Sequence, residues 1–227
     1  MSTENKDLLD PRVEELLNAG VHFGLTRTRR HPSTKGYILT TKNKTDIINA
    51  EDTIKGIEKA KAFIDGVIAN TGKILFVGTK PEVRDITSKF VESTGSYGMT
   101  YRWVGGTLTN LPEIKKRLNR LEHIRKAKET GDINKYTKKE RGLMDKEADK
   151  LNETFGGLVG LSETPDVVIL VDAKYEDIAK KEAKRMNIPV VAITNTDTNI
   201  KDIAYPILAN DSAISSVSLI LSMLFNK

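Results

Sequence analysis

Three uninterrupted apolar runs constrain this chain more than any other feature: ILFV at 74–77, VVILV at 167–171 and VVAIT at 190–194. A strand buried on both faces reads as a continuous apolar run, and such strands belong to parallel sheets covered by helices. Helical spacing surrounds them. Residues 51–69 place Ile54, Ile57, Ala60, Ile64 and Ile68 on one face and stop at Gly72. Residues 81–93 open with Pro81 in the first turn and break at Gly95 and Gly98. Residues 176–186 and 211–225 complete the set, the last capped by Asp211 or Ser212. Strand and helix alternate, so the expectation is an α/β fold of βαβ units with helices on both faces.

Weaker signals fill in the rest. A first helix over 8–19 carries Pro11 in its first turn, ends at Gly20 and lines up Leu9, Val13, Leu16 and Leu17. Short strands are expected near 37–40 and 46–49, a weak one over 99–103 and an edge strand at 205–208. Residues 111–155 interrupt the alternation. Leu111, Ile114, Leu118 and Leu121, then Met144, Ala148, Leu151 and Phe155, form narrow stripes suited to a coiled-coil hairpin. Its tip falls near ETGDINKYT, with Gly131 as a stop and Asp132 or Thr137 starting the next element. The chain therefore divides into one α/β domain, 1–110 with 156–227, and an inserted helical hairpin, 111–155.

Charge is concentrated. Residues 22–45 hold Arg27, Arg29, Arg30, Lys35, Lys42 and Lys44 and no acid, net +6, while the whole chain is only +5. Residues 111–155 are net +4, with thirteen basic and nine acidic groups. Two such segments make a field that attracts a polyanion. The chain has no cysteine, which removes disulfides, thiolate metal sites and a cysteine nucleophile. No apolar run is long enough to span a bilayer, and the polar, acidic start is not a signal peptide. A cytosolic protein is the expectation.

No catalytic set emerges. GTKPE at 78–82 follows a strand and precedes a helix, but neither a P-loop nor G-x-G-x-x-G is present. Asp172 ends a strand with no second acid at paired spacing, which suits a turn. The three histidines, His22, His31 and His123, have no metal-ligand spacing. NTDT at 195–198 could hold a cation but is ordinary turn chemistry. An enzyme or sensor binding a nucleotide would rest on fold analogy alone, so the expectation is no enzyme, no cofactor, no metal and no small-molecule substrate.

The stretch WVGGTLTNLPEIKKRLNRL, 103–121, combines a Gly-Gly turn, hydroxyl and amide groups and a basic helix. Backbone N–H groups at such a turn favour an anion. The candidate phosphate-facing residues are Arg102, Trp103, Gly105, Gly106, Thr107, Thr109, Asn110, Lys115, Lys116 and Arg120, with Trp103 also suited to packing on the sheet. In the other basic segment they are His22, Arg27, Arg29, Arg30 and Lys35, on a loop of the kind that phosphate contact orders.

LLNAGVHFG, KILFVGTK, RWVGGTLTN, IPVVAIT and ANDSAISSVSLI occur in this order, and with them the chain resembles the bacterial-type small-subunit ribosomal protein two family from about residue 8 to 225. The resemblance implies a flavodoxin-like parallel sheet with an inserted helical hairpin and no catalysis. It implies contact with small-subunit ribosomal RNA at the junction of head and body. It also implies neighbouring ribosomal proteins as partners, small-subunit ribosomal protein one among them. The chain departs from the family pattern at Leu25, Arg30, Asn199, Ile200, Ser212 and Ser215, which puts contacts made by those groups in doubt.

Overall fold

The computed structural model describes residues 10–225, and of Asn134 its backbone only. The chain opens with helix α1, Pro11–Asn18. Asp10 caps it by accepting from the Arg12 N–H. The expected start at residue 8 and the place of Leu9 lie outside the described residues. Val13 and Leu16 are buried, but Leu17 is 44% exposed and does not belong to the packed face.

Three short strands come next: β1, Phe23–Thr26, β2, Ile38–Lys42, and β3, Thr45–Ile48. They form an antiparallel sheet in the order β1-β3-β2. Strand β1 has no sequence signal and lies inside a stretch that reads as basic loop. The β2–β3 hairpin turns at Asn43 and Lys44, both at positive φ (51° and 65°), the backbone of a two-residue turn that matches strand twist.

Helix α2, Ala50–Ala69, leads to β4, Ile74–Val77, then α3, Pro81–Thr94, and β5, Tyr97–Met99. Strand β5 begins two residues before its expected start and stops short of Trp103. Gly98 lies within it because the strand is crowded there: a Cβ would sit 2.5 Å from Val91 Cγ2. Ile68 is 49% exposed and is not part of the buried face of α2.

Helices α4, Leu111–Glu129, and α5, Lys138–Phe155, pack against each other. Cross-contacts Arg120–Glu147 and Lys128–Asp145 run in opposite directions along the two, so they are antiparallel. Thr137 starts α5 with a reciprocal capping box: its side chain accepts from the Glu140 N–H, and Glu140 accepts from the Thr137 N–H.

The chain then returns to the main sheet through β6, Val167–Val171, α6, Asp177–Arg185, β7, Val190–Thr194, and β8, Tyr205–Leu208, and ends in α7, Ile214–Phe225. Asp211 and Ser212 precede α7 by more than a capping position, so neither caps it. Five parallel strands lie in the order β5-β4-β6-β7-β8. Numbered within the sheet this is 2-1-3-4-5, the flavodoxin-like order, with its switch point between β4 and β6.

Alternate residues of the central strands serve opposite faces. Phe76, Ile169 and Ile193 pack under α1, α2, α3 and α7. Leu75, Leu170 and Ala192 pack under α6 and the root of the α4–α5 arm, including Leu111, Ile114 and Phe155. Leu121, Ile124, Met144 and Ala148 form a separate small cluster further out along the arm.

Candidate nucleic-acid interface

The Gly-Gly turn does hold an anion, but the anion is internal. The carboxylate of Glu182 on α6 occupies it. One oxygen accepts from the Gly106 N–H at 2.8 Å and from Trp103 Nε1 at 3.1 Å. The other accepts from the Leu108 N–H at 3.0 Å, the Thr109 N–H at 3.2 Å and the Thr109 hydroxyl at 3.2 Å. Glu182 is only 7% exposed. Burial alone would raise its pKa, but the donors of Gly106, Trp103, Leu108 and Thr109 outweigh it and hold the carboxyl below its ordinary value.

This corrects the expectation for the turn. Thr107 is fully buried and its hydroxyl donates to the Val104 carbonyl. Gly106, Thr109 and Trp103 have their donors on Glu182, and the Trp103 ring packs with the sheet-facing cluster. Arg102, Gly105 and Asn110 remain exposed on the rim. Asn110 makes no side-chain cap to α4. Lys115 is half-buried; Lys116 and Arg120 are exposed and paired with Glu113 and Glu147. Exposed pairs of this kind are weak, so they can be exchanged for phosphate.

The second strand-to-helix turn repeats the arrangement. After β4, the Thr79 N–H and hydroxyl donate to Glu176 Oε1 at 2.7 and 2.6 Å. Burial pushes the Glu176 carboxyl up. At the switch point itself, Lys80 Nζ lies 2.8 Å from Asp172 Oδ2, 2.7 Å from Ser212 Oγ and 3.9 Å from Asp211 Oδ1. Asp172 sits at φ 67° and accepts from the Lys174 and Tyr175 N–H groups, so it is a turn residue. The fold nevertheless brings Asp211 beside it, a pairing invisible in the spacing. Burial, then the neighbouring Asp172, pushes Asp211 up to about 6. The crevice, about 640 Å³, is lined by Asp172, Asp197 and Asp211 together with Arg29, Lys80 and Lys174, where a flavodoxin-like fold would place an anionic cofactor.

The basic segment behaves differently. Protein contacts hold it against the Thr196 loop. His31 N–H and the Thr34 hydroxyl both donate to the Thr196 carbonyl, and the Leu25 N–H donates to the Thr196 hydroxyl. NTDT at 195–198 is therefore the dock for the N-terminal layer. Arg30 does not face outward: it pairs with Asp46, which is fully buried, at 3.2 Å. His22 is half-buried against Phe23, with ring centroids 4.0 Å apart, and burial lowers its pKa. Arg27, Arg29, Lys35, Lys42 and Lys44 are exposed and form no ion pair among the described residues.

Comparison with known proteins decides the family. The ribosomal protein S2 family pattern matches residues 16–226. The chain belongs to the ribosomal protein S2 family. The small ribosomal subunit protein uS2 of Dehalococcoides mccartyi strain 195 is 40% identical over 210 residues, 92% of this chain and 86% of that one. Its counterpart in strain CBDB1 is 39% identical over the same shares. The S2 assignment agrees with the five-stranded parallel sheet and its flanking helices.

Sequence reasoning missed Glu182, Glu176 and Asp46, the three buried acids that organise this surface. Glu182 carried a signal: it shares the buried stripe of α6 with Ala179 and Ala183, and a charge on an apolar stripe needs partners.

Proposed function

We propose that this protein is a structural component of the small ribosomal subunit that binds small-subunit ribosomal RNA without catalysing a reaction. The observation that carries the reading is the set of five unpaired cations, Arg27, Arg29, Lys35, Lys42 and Lys44, on a layer held in place by Thr196. Cations without internal partners on an ordered support suit a phosphate backbone, because binding releases counterions and no ion pair has to be broken. Its place on the ribosome in the cytoplasm, its contacts at the head–body junction and its neighbours, small-subunit ribosomal protein one among them, follow from the family and belong to this proposal.

The experiment is a sucrose-gradient profile of native extract over a salt series, probed for this chain. Co-migration with small subunits, lost as salt rises, is the expected result. A chain that stays at the top of the gradient at every salt concentration overturns the reading. A Lys42→Glu/Lys44→Glu variant should leave the subunit at lower salt than the native chain.

A further inference from the structure

Two cavities meet at the bend 71–73, which joins α2 to β4. One, of about 400 Å³, has Ile68, Ile74, Tyr97 and Phe225 in its wall, with Ser93 and Thr94. The other, of about 520 Å³, is walled by Phe63, Val67, Asn70, Glu163, Thr164 and Asp166. Thr71, Gly72 and Lys73 line both. Lys73 and Asp166 directly precede the parallel strands β4 and β6, whereas Thr196, the dock of the basic layer, follows β7. The cavities therefore open at the end of the sheet opposite to the basic layer. We propose that this end docks a basic, extended segment of another protein, with an apolar side chain in the first cavity and a lysine or arginine toward Glu163 and Asp166 at the second. The inference does not depend on the RNA-binding reading.

The field at this end is negative. Three helices finish on the first cavity: Ile68 lies in the last turn of α2, Ser93 and Thr94 in that of α3, and Phe225 closes α7. A helix C-terminus presents unpaired carbonyls and the negative end of the dipole, which a lysine or arginine in the last turn compensates. None of these three last turns holds one. The chain does place such residues elsewhere, Lys126 and Lys128 on α4 and Lys184 and Arg185 on α6. Lys73 is the one cation among the described lining residues, and its Nζ is already 2.8 Å from Glu163 Oε2. Asp166 adds a second carboxylate, with one oxygen accepting from the Lys73 N–H at 2.7 Å.

That sign repels a phosphate backbone. It would attract a small free cation as well as a basic segment, and Ile68 decides between them. Its neighbours Ile64 and Val67 pack into the core cluster of this face, and Ile68 does not. An apolar side chain held open beside a charged rim is the pattern of an interaction surface. A small cation would satisfy the carbonyls and leave Ile68 in water. A second copy of this chain, set symmetrically, would bring the same negative field against its own. A basic segment that also carries an apolar side chain meets both the carbonyls and Ile68.

The chain has no cysteine, so Thr164→Cys gives the full-length protein a single site for a benzophenone label on the exposed rim of the second cavity. The labelled chain is added to extract of its source organism, irradiated, and the attached peptide is sequenced. The expected product is a segment of another protein with lysine or arginine beside an aliphatic or aromatic residue, in a yield that RNase does not change. Adding Ile68→Lys should lower that yield about tenfold, because an apolar contact is lost and a like charge gained. Glu163→Gln should lower it about threefold. Ile68→Lys also supplies the cation that the last turn of α2 lacks, so the melting temperature of the free chain should hold or rise, which separates lost docking from lost folding. Should Ile68→Lys melt lower, the exposed Glu163→Gln alone decides. Attachment to RNA, to a second copy of this chain or to a segment without basic residues overturns the proposal, as does the absence of any product or a yield that neither substitution lowers.

Discussion

Replacing Glu182 should unsettle the fold far more than its place on a surface helix suggests. Glu182→Ala strands the donors of Gly106, Trp103, Leu108 and Thr109. Thr109 is exposed and water can replace the carboxylate there. Leu108 is buried at 1% exposure, so its N–H bears the full desolvation cost of about 1–3 kcal/mol. The half-buried Gly106 N–H and Trp103 indole add less each, and the sum is about 3 kcal/mol. Glu182→Gln keeps one acceptor but turns an NH₂ group toward the Leu108 and Thr109 donors, so it should recover only part of the loss. Urea unfolding is the assay, read as a shift in midpoint at unchanged slope. The vacated nest gives a sharper readout: formate should raise the melting temperature of Glu182→Ala more than that of the native chain, by linkage. The pH dependence comes from the lowered pKa of Glu182. Its contribution is present above the ordinary carboxyl value and lost as pH falls through the lower folded value. A Glu182→Ala midpoint within about 0.5 kcal/mol of native would refute the internal-anion argument.

Two further outcomes are expected. Asp211 has its pKa raised to about 6, so its neutral form is the one the fold prefers: its contribution to stability should fall as pH rises from about 4 through about 6, read as the difference between native and Asp211→Asn in urea titrations across that window. A native-minus-variant difference that rises with pH there contradicts the assignment. Arg30→Ala leaves the fully buried Asp46 with only the Thr41 hydroxyl at 2.7 Å and should cost about 2–4 kcal/mol, with RNA affinity reduced no more than by the loss of fold; a Kd that worsens while the melting temperature holds would show Arg30 on the RNA.

The central sheet is readable in the sequence because burial on both faces leaves an unmistakable pattern in ILFV, VVILV and VVAIT. The arm is readable because a two-helix seam repeats at 3-4 spacing and Thr137 with Glu140 spells a capping box. Strand β1 was not readable: the alternation in FGLT lasts only four residues inside a basic, Gly- and Pro-punctuated stretch, and the strand forms because β3 and Thr196 supply its partners. The turn at 103–110 misled for a related reason. Its Gly-Gly and Thr residues correctly announce a site for an anion, but the anion lies over seventy positions downstream on α6, and nothing local distinguishes a carboxylate from a phosphate. The five exposed cations of the N-terminal layer were visible as charge; that Arg30 differs from them depends on Asp46 across the small sheet.

The arm leaves the sheet at Leu111 and returns at Phe155, with both ends in one packed cluster, so its length is independent of everything beneath it. The 19 residues of α4 reach about 28 Å. Inserting or removing seven residues in each helix together would preserve the seam and change that reach by about 10 Å, while the sheet, the crevice and the Glu182 anchor stay as they are. The protein is in this sense a fixed base with an adjustable ruler.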